Sequence, residues 1–131
     1  MRYFSVKEAE ALIGDLEEIF ARARALRDQA EKKAQNVRAL EEADTDPASA
    51  ALERGQLMFL ANGINECLGQ VAALGAVPKG LDPALVDFPH RLDGREVYLC
   101  WSAGEKNISH YHGIEEGFGG RTPLPKKKAA S

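Results

Sequence analysis

Two histidines stand two residues apart near the C-terminus, and a pair of glutamates follows them. On a β-strand, His110 and His112 project from the same face, because side chains alternate along a strand. Glu115 or Glu116 would add an oxygen ligand to two imidazole nitrogens, a donor set that suits a divalent metal. The spacing therefore predicts a metal site formed by His110, His112 and Glu116. The alternative interpretation is that both histidines are packed or half-exposed residues of a sheet.

Three arginines form a second candidate site, one for a small anion. Arg91, Arg95 and Arg121 carry guanidinium groups, which bind carboxylates and phosphates through two parallel hydrogen bonds. Backbone amides of the glycine-rich segment 117–120 would add further donors. The alternative is a set of surface ion pairs with neighbouring carboxylates such as Glu96, and such pairs contribute little to stability.

Patterns for other chemistry are absent from the sequence. It has no GxSxG elbow, no GxGxxG motif and no phosphate-binding P-loop. Cys67 and Cys100 do not form a CxxC pair, so nothing supports a structural zinc site. Two unpaired thiols and the lack of a visible secretory signal predict a cytoplasmic protein with reduced cysteines. The longest uncharged apolar stretches, 57–61 and 71–77, are too short to cross a bilayer.

The chain of 131 residues has the size of one domain. Its 17 basic and 20 acidic side chains give a net charge of −3, without the basic excess of nucleic-acid-binding domains. We therefore expect neither a nucleic-acid partner nor a membrane partner. Hydrophobic residues make up 44%, and 20 of them are alanines, which form helices well and bury little area. This composition favours long thin helices over a thick core.

A capping box opens the first predicted helix. Ser5 would cap the helix, and Glu8 would return a hydrogen bond from the third position. Apolar residues then recur at steps of three and four, which predicts one helix from about Val6 to Ala43. Between Arg22 and Glu42 the sequence is mostly alanine and charge, so its apolar stripe is as thin as a coiled-coil seam.

A second helix follows after a short connection. Asp46 can cap this helix and Pro47 suits its first position. Its apolar stripe extends from about Ala48 to Leu74. The short connection makes the two helices antiparallel neighbours. Because these helices carry little apolar bulk, part of their seam stays uncovered, and we expect a second copy of the chain to bury it.

From Val77 onward the sequence has β-strand periodicity. Asp93-Gly94 is a strong signal for a two-residue hairpin turn, and this turn fixes the pairing of the flanking strands. One face of the hairpin then collects the apolar side chains and one histidine: Val86, Phe88, His90, Leu92, Val97, Leu99 and Trp101. The sorting of apolar from polar side chains supports this register. Pro89 places its strand at an edge of the sheet or at a bulge.

A third strand covers about Asn107–His112. A four-residue turn before it would place the histidines on the apolar face of the hairpin, an odd loop length would reverse the face, and the sequence leaves both open. The fold class is therefore α+β: a long antiparallel helical hairpin (1–76), then a three-stranded antiparallel β-meander (77–121) and an extended C-terminal tail. Residues 1–125 form one domain, and 126–131 are a basic tail.

Seven segments of the chain carry a resemblance to one protein family: Tyr3–Ile13, Gly80–Asp82, Asp87–Pro89, Asp93–Trp101, Tyr111-His112, Glu115–Phe118 and Gly120-Arg121. They are similar to a bacterial family of domains of unknown function, family twenty-two-oh-three, over nearly the whole chain. That family usually has an aromatic residue at the position of His110, which argues against a metal pair shared by the family. The resemblance favours five residues as a ligand site: Asp87, Trp101, His112, Glu116 and Arg121. It implies no particular activity.

The predicted function is a non-catalytic interaction module that forms a homodimer through its helical hairpin. The alternative is a metal- or small-anion-binding protein, or an enzyme, with a site near His112, Glu116 and Arg121. The full set of ligand-binding candidates is Asp87, Arg91, Arg95, Trp101, His112, Glu116 and Arg121. A divalent metal is the one cofactor that the sequence suggests.

Overall fold

The computed structural model describes residues 2–125, so the predicted basic tail 126–131 lies outside the described residues. Three helices precede five strands, which form one antiparallel sheet in chain order. The elements are α1 (Val6–Glu10), α2 (Ile13–Ala43), α3 (Pro47–Ala73), β1 (Val77–Leu81), β2 (Ala84–Leu92), β3 (Arg95–Ser102), β4 (His110–Gly113) and β5 (Thr122–Pro123). A short 3₁₀ turn, Phe118–Gly120, lies between β4 and β5.

The first predicted helix is divided into α1 and α2. Its capping box is present, with Ser5 Oγ accepting a hydrogen bond from the Glu8 N–H at 3.1 Å. The helix is interrupted before α2 begins, where Leu12 has a ψ of −6°. The single helix predicted over Val6–Ala43 is therefore wrong at this point. Periodicity does not show the interruption, because α1 keeps its apolar face buried through Ala9 and the same spacing resumes in α2.

The second predicted helix is confirmed as α3. Asp46 caps it by accepting from the Ser49 N–H at 3.0 Å, and Pro47 is its first residue. Three residues, 44–46, join α2 to α3, and the two helices pack against each other as a hairpin. The shorter arm has 27 residues, which corresponds to about 40 Å. Among the described residues, no helix is long and apolar enough to cross a membrane.

The sheet has five strands, so the predicted three-stranded meander is incomplete. β1 contains Pro78 and Gly80, which interrupt the alternating pattern and hide the strand in the sequence. β5 has only two residues and pairs with His110 and Tyr111, within the segment predicted as an extended tail. Both additional strands lie at the edges of the sheet, where strands are short and their pairing depends on tertiary contacts.

The β2–β3 hairpin has the predicted register. Leu92 pairs with Arg95 across the turn, and the pairing continues without a shift along both strands. Pro89 was expected at an edge or a bulge, and the pairing of β1 with β2 extends only to Asp87. Pro89 therefore lies on a stretch of β2 that β1 does not cover, and its carbonyl accepts a hydrogen bond from the Phe4 N–H at 2.7 Å.

The third predicted strand, β4, is shorter than expected and starts at His110. It pairs His110 with Cys100 and His112 with Tyr98. The nine residues 101–109 between the paired positions are an odd number, so the alternative with the reversed face is the one the chain adopts. Both histidines therefore lie on the outer face of the sheet, opposite the apolar face of the hairpin.

The inner face of the sheet packs on α1 and on the adjoining parts of α2 and α3. The core consists of thirteen buried side chains: Phe4, Val6, Ala9, Leu16, Phe20, Val71, Ala76, Ala84, Val86, Phe88, Leu99, Trp101 and Ile108. Phe4 and Phe88 meet edge to face, with ring centroids 5.1 Å apart. Trp101 satisfies its indole N–H by donating to the Glu105 carbonyl at 2.9 Å. The large apolar side chains of the inner face are thus buried in the core, whereas the buried polar residues, Asp87 and His112, lie on the outer face.

Candidate functional site

A pocket of about 220 Å³ lies on the outer face of the sheet. Strands β1 to β4 contribute residues to it, and the segment after β4 closes it. The lining residues are Lys79, Leu85, Asp87, Tyr98, Cys100, Trp101, His112, Ile114, Glu116, Gly117 and Phe118. The strand register explains the convergence, because Asp87 pairs with Cys100, and His112 pairs with Tyr98 on the same face.

Asp87 and His112 form a buried pair in the wall of this pocket. Asp87 Oδ1 lies 3.0 Å from His112 Nε2, and the two residues are only 5% and 3% exposed. The ring of Tyr98 packs beside the imidazole, with centroids 5.6 Å apart. Burying an ionisable group is costly unless a well-placed partner compensates. Each member of the pair therefore fixes the position of the other.

Both imidazole nitrogens of His112 are occupied. Nδ1 lies 2.9 Å from the Gly113 carbonyl oxygen, which can only accept, so Nδ1 carries a hydrogen. Nε2 faces Asp87 Oδ1, and that hydrogen bond needs one more proton, on the nitrogen or on the oxygen. His112 consequently has no free nitrogen for a metal ion or for proton abstraction from a substrate. Its role is to orient Asp87, whose second oxygen remains available.

Glu116 holds the segment after β4 against the end of that strand. Its Oε1 accepts from the Gly113 N–H at 2.7 Å, and its own N–H donates to the Gly113 carbonyl at 3.0 Å. A Cβ atom at Gly113 or Gly120 would lie 3.0 or 3.1 Å from atoms of the Glu116 side chain, closer than ordinary contact. The two glycines therefore make room for the carboxylate beside the pocket.

Arg121 does not line the pocket, but it contacts residues next to it. Its Nη2 donates to both carboxylate oxygens of Glu105, at 3.0 and 3.2 Å. Its guanidinium also lies over the Phe118 ring, 4.5 Å from the centroid. Its Nε is buried without a hydrogen-bond partner. The interactions of Arg121 thus hold the segment that carries Phe118 in place over the sheet.

Cys100 lies on the outer face but is not an activated nucleophile. Burial raises the pKa of its thiol to about 11, and the nearby guanidinium of Arg121 opposes this effect only in part. A thiol with this pKa is protonated at neutral pH, whereas the thiolate is the reactive form. Among the described residues both cysteines, Cys67 and Cys100, are free and buried.

The three arginines predicted as an anion site are not brought together. Arg91 and Arg95 lie at the turn end of the hairpin, where Arg91 covers the Tyr3 ring at 4.4 Å and faces Glu96 at 3.9 Å. Arg121 contacts the other end of β3, five residues and about 17 Å from Arg95. The cross-strand ion pair between Arg91 and Glu96, weighed as the alternative, is present.

The predicted metal ligands do not form a complete coordination set. His110 is half-buried, and its Nδ1 lies 2.9 Å from Ser109 Oγ. His112 uses both nitrogens in hydrogen bonds, and Oε1 of Glu116 is bound to a backbone amide. Within residues 2–125, no group of three or more His, Cys, Asp or Glu side chains is arranged to hold a metal ion.

Of the seven ligand-binding candidates, four border the pocket: Asp87, Trp101, His112 and Glu116. Trp101 does so from the core, since its side chain is fully buried and packs against Phe20. Sequence reasoning missed Lys79, Tyr98 and Phe118. The hairpin register alone puts Tyr98 on the same face as Asp87, whereas Lys79 could be found only by recognising β1.

The architecture defines an α+β protein in which a helical hairpin precedes a five-stranded antiparallel sheet with a pocket on its outer face. The chain belongs to the DUF2203 family, described as an uncharacterized conserved protein, whose sequence model matches residues 2–124. Comparison with curated proteins and with solved structures gave no match.

Proposed function

We propose that this protein associates with a second copy of itself through the outward face of α3. The observation that carries the proposal is the exposure of three large apolar side chains on that helix. Leu52, Met58 and Phe59 are 62%, 67% and 76% exposed. Leu52 and Phe59 also line the same groove, and apolar side chains grouped on the surface of a folded chain are typical of interaction sites.

The charge distribution of the hairpin supports this surface. α2 carries 13 charged side chains in 31 residues, whereas α3 carries three in 27, namely Glu53, Arg54 and Glu66. Glu53 pairs with Lys33 at 2.7 Å, and Arg54 pairs with Glu41 at 2.9 Å, both across the hairpin. Two copies can therefore meet along the first half of α3, which carries Leu52, Met58 and Phe59, without burying unpaired charges, which would oppose association.

A groove of about 530 Å³ lies beside the exposed phenylalanine, between α2 and α3. Its lining residues are Gln29, Lys33, Ala51, Leu52, Gly55, Gln56, Phe59 and Leu60. The groove is open at Gly55, because a Cβ atom there would meet nothing within 4 Å. In a two-fold dimer each copy uses the same patch, so the Phe59 ring of one copy can enter the groove of the other. A projecting ring next to a groove on one surface favours a second copy over an unrelated partner.

The hairpin is large enough for a stable dimer. Its shorter arm is about 40 Å long, and two packed helices are about 20 Å wide. Such a face offers on the order of 800 Å² per partner, the area that standard protein–protein interfaces use. Phe59 and Leu52 would lie at its centre, where buried aromatic and aliphatic side chains contribute most.

Light scattering coupled to size exclusion tests the dimer at micromolar concentration. The wild-type chain is expected to have twice its 14.3 kDa mass, and Phe59→Lys is expected to have the single mass, because a charge at the centre of an apolar interface is costly. Ile114→Lys is the matched control, since Ile114 is also a large apolar side chain, 55% exposed, but lies outside α3. A wild-type mass of one chain at high micromolar concentration would contradict the proposal.

We propose as a second function that the outer-face pocket binds a small molecule. The support is the buried Asp87–His112 pair in the wall of the cavity. Apolar side chains would pack there at lower cost, and a few fixed polar groups in an apolar pocket are typical of ligand sites. Saturation-transfer NMR with a set of small polar fragments is expected to find binders, and Phe118→Ala at the rim is expected to weaken them. A wild-type protein that binds no fragment would remove this function.

A further inference from the structure

We propose that the ligand of the outer-face pocket is a small zwitterion of the α-amino-acid class with an apolar side chain. The inference rests on the proposed binding function of the pocket and adds the chemistry of the ligand. Its basis is the combination of groups around one cavity: the ammonium of Lys79, the carboxylates of Asp87 and Glu116, and apolar side chains between them.

Asp87 provides the contact for the ligand's ammonium group. Only its Oδ1 is hydrogen-bonded among the described residues, to His112 Nε2. Its Oδ2 has no hydrogen-bond partner among the described residues and is not fully buried, and Asp87 borders the pocket. A carboxylate held by a histidine on one oxygen offers the other to a donor at a fixed position. Glu116 has its Oε1 bound to Gly113, which likewise leaves Oε2 for a cation.

Lys79 provides the contact for the ligand's carboxylate. It lies on β1 beside the strand of Asp87, and within residues 2–125 it forms no ion pair or hydrogen bond. A lysine next to a pocket with two carboxylates and yet without a partner is free to receive an anion.

The charges and the volume set the class of ligand. The lining combines two basic residues, Lys79 and His112, with two acidic ones, Asp87 and Glu116, so a molecule with both signs of charge complements it best. Leu85, Ile114 and Phe118 supply the apolar surface for a side chain. A cavity of about 220 Å³ is below the roughly 300–1,000 Å³ of pockets for drug-sized ligands, and it suits a single amino acid.

Three matched probes test the inference on the full chain by isothermal titration and by NMR. The probes are L-leucine, isopentylamine and isocaproate; the amine lacks the carboxylate of leucine, and the acid lacks its ammonium. Leucine is expected to bind at least about tenfold more tightly than either, because each charged contact is worth roughly that factor. NMR shifts at Tyr98 and His112 would place the ligand in the pocket.

Two variants assign each end of the ligand. Lys79→Met is expected to bring the affinity for leucine down to that for isopentylamine, while the affinity for isopentylamine itself does not change. Asp87→Asn is expected to lower the affinity for leucine to the affinity for isocaproate. Lys79 is exposed, so its substitution leaves the fold intact even if Asp87→Asn does not fold. Arg95→Met, at the distant hairpin turn, is the control and is expected to leave all affinities unchanged.

The outcomes separate the inference from the function on which it rests. If fragments bind in the pocket but leucine binds no more tightly than its two truncated analogues, the ligand class is wrong and the binding function stands. If Lys79→Met leaves the preference for leucine unchanged, the assignment of the carboxylate contact is overturned. If neither leucine nor any fragment binds, both the inference and the binding function fail.

Discussion

The outward face of α3 and the outer face of the sheet depart from ordinary protein surfaces in opposite ways. On α3 the side chain of Phe59 is 76% exposed, whereas on the sheet Asp87 and His112 are only 5% and 3% exposed. Large apolar side chains usually lie inside and charged ones outside. Burying the carboxylate of Asp87 costs free energy that its partner must offset, and an exposed apolar group such as that around Phe59 is typical of an interaction site.

The difference matches the two functions proposed above, one for each region. The apolar surface of α3 is open and extended, so it suits a large partner with a complementary apolar surface. The pocket is small, and its wall holds a buried Asp–His pair among apolar side chains, so it suits a small molecule with defined donors and acceptors. No described contact joins the outward face of α3 to the pocket, and substitutions in one region are therefore expected to leave the other unchanged.

The largest expected effect comes from breaking the buried pair on the sheet. His112→Ala leaves the carboxylate of Asp87 buried without its partner, and the free energy of unfolding in urea is expected to fall by about 3–5 kcal/mol. The double variant Asp87→Leu, His112→Leu is expected to recover most of this loss, because it removes both polar groups. A loss under about 1 kcal/mol in the single variant would show that the pair is solvated, and the contrast with α3 would disappear.

Two neighbouring residues of α3 provide the next comparison. Leu60 is buried between the helices, and Leu60→Ala is expected to lower the free energy of unfolding by about 2–5 kcal/mol. Phe59→Ala is expected to change it by less than about 0.5 kcal/mol at concentrations where the chain is monomeric. Its effect should instead be a weaker dimer, measured by light scattering. Equal losses at both positions would mean that Phe59 is part of a core.

Alkylation of Cys100 tests how far the outer face of the sheet is shielded from water. Its pKa of about 11 lies above the ordinary value of 9.0, so at neutral pH about 100-fold less thiolate is present. The rate of reaction with iodoacetamide, followed by mass spectrometry of the Cys100 peptide, is expected to rise with pH until about pH 11. A rate that levels off near pH 9 would show an ordinary, solvated thiol.

Local signals in the sequence predicted the parts of the fold that local interactions determine. Ser5 and Asp46 cap their helices as expected, and Asp93-Gly94 fixes the register of β2 and β3. In each case the residue that carries the signal also makes the stabilising hydrogen bond or turn. The helical hairpin and the apolar face of the β2–β3 hairpin follow from these signals and from periodicity.

The remaining features depend on contacts between distant residues. β1 and β5 contain prolines and are held by pairing with their neighbours, so no local pattern predicts them. The position of Lys79 at the pocket follows from β1 and was missed for the same reason. The face on which His110 and His112 lie depends on whether an odd or an even number of residues separates β3 from β4 in the pairing. The sequence alone did not predict which of the two applies. Asp87 and His112 were both proposed as site residues, but their contact required that face.

The hydrogen bond from the Phe4 N–H to the Pro89 carbonyl gives the chain a modular construction. It attaches the N-terminal segment to β2, so this segment, α1 and the sheet form one unit. The chain moves away from this unit along α2 beyond Phe20 and returns to it along α3 towards Val71. The hairpin is thus an insertion whose two arms meet that unit side by side. Removing the same number of turns from the far ends of α2 and α3 would shorten the surface available to a partner and leave the geometry of the pocket unchanged.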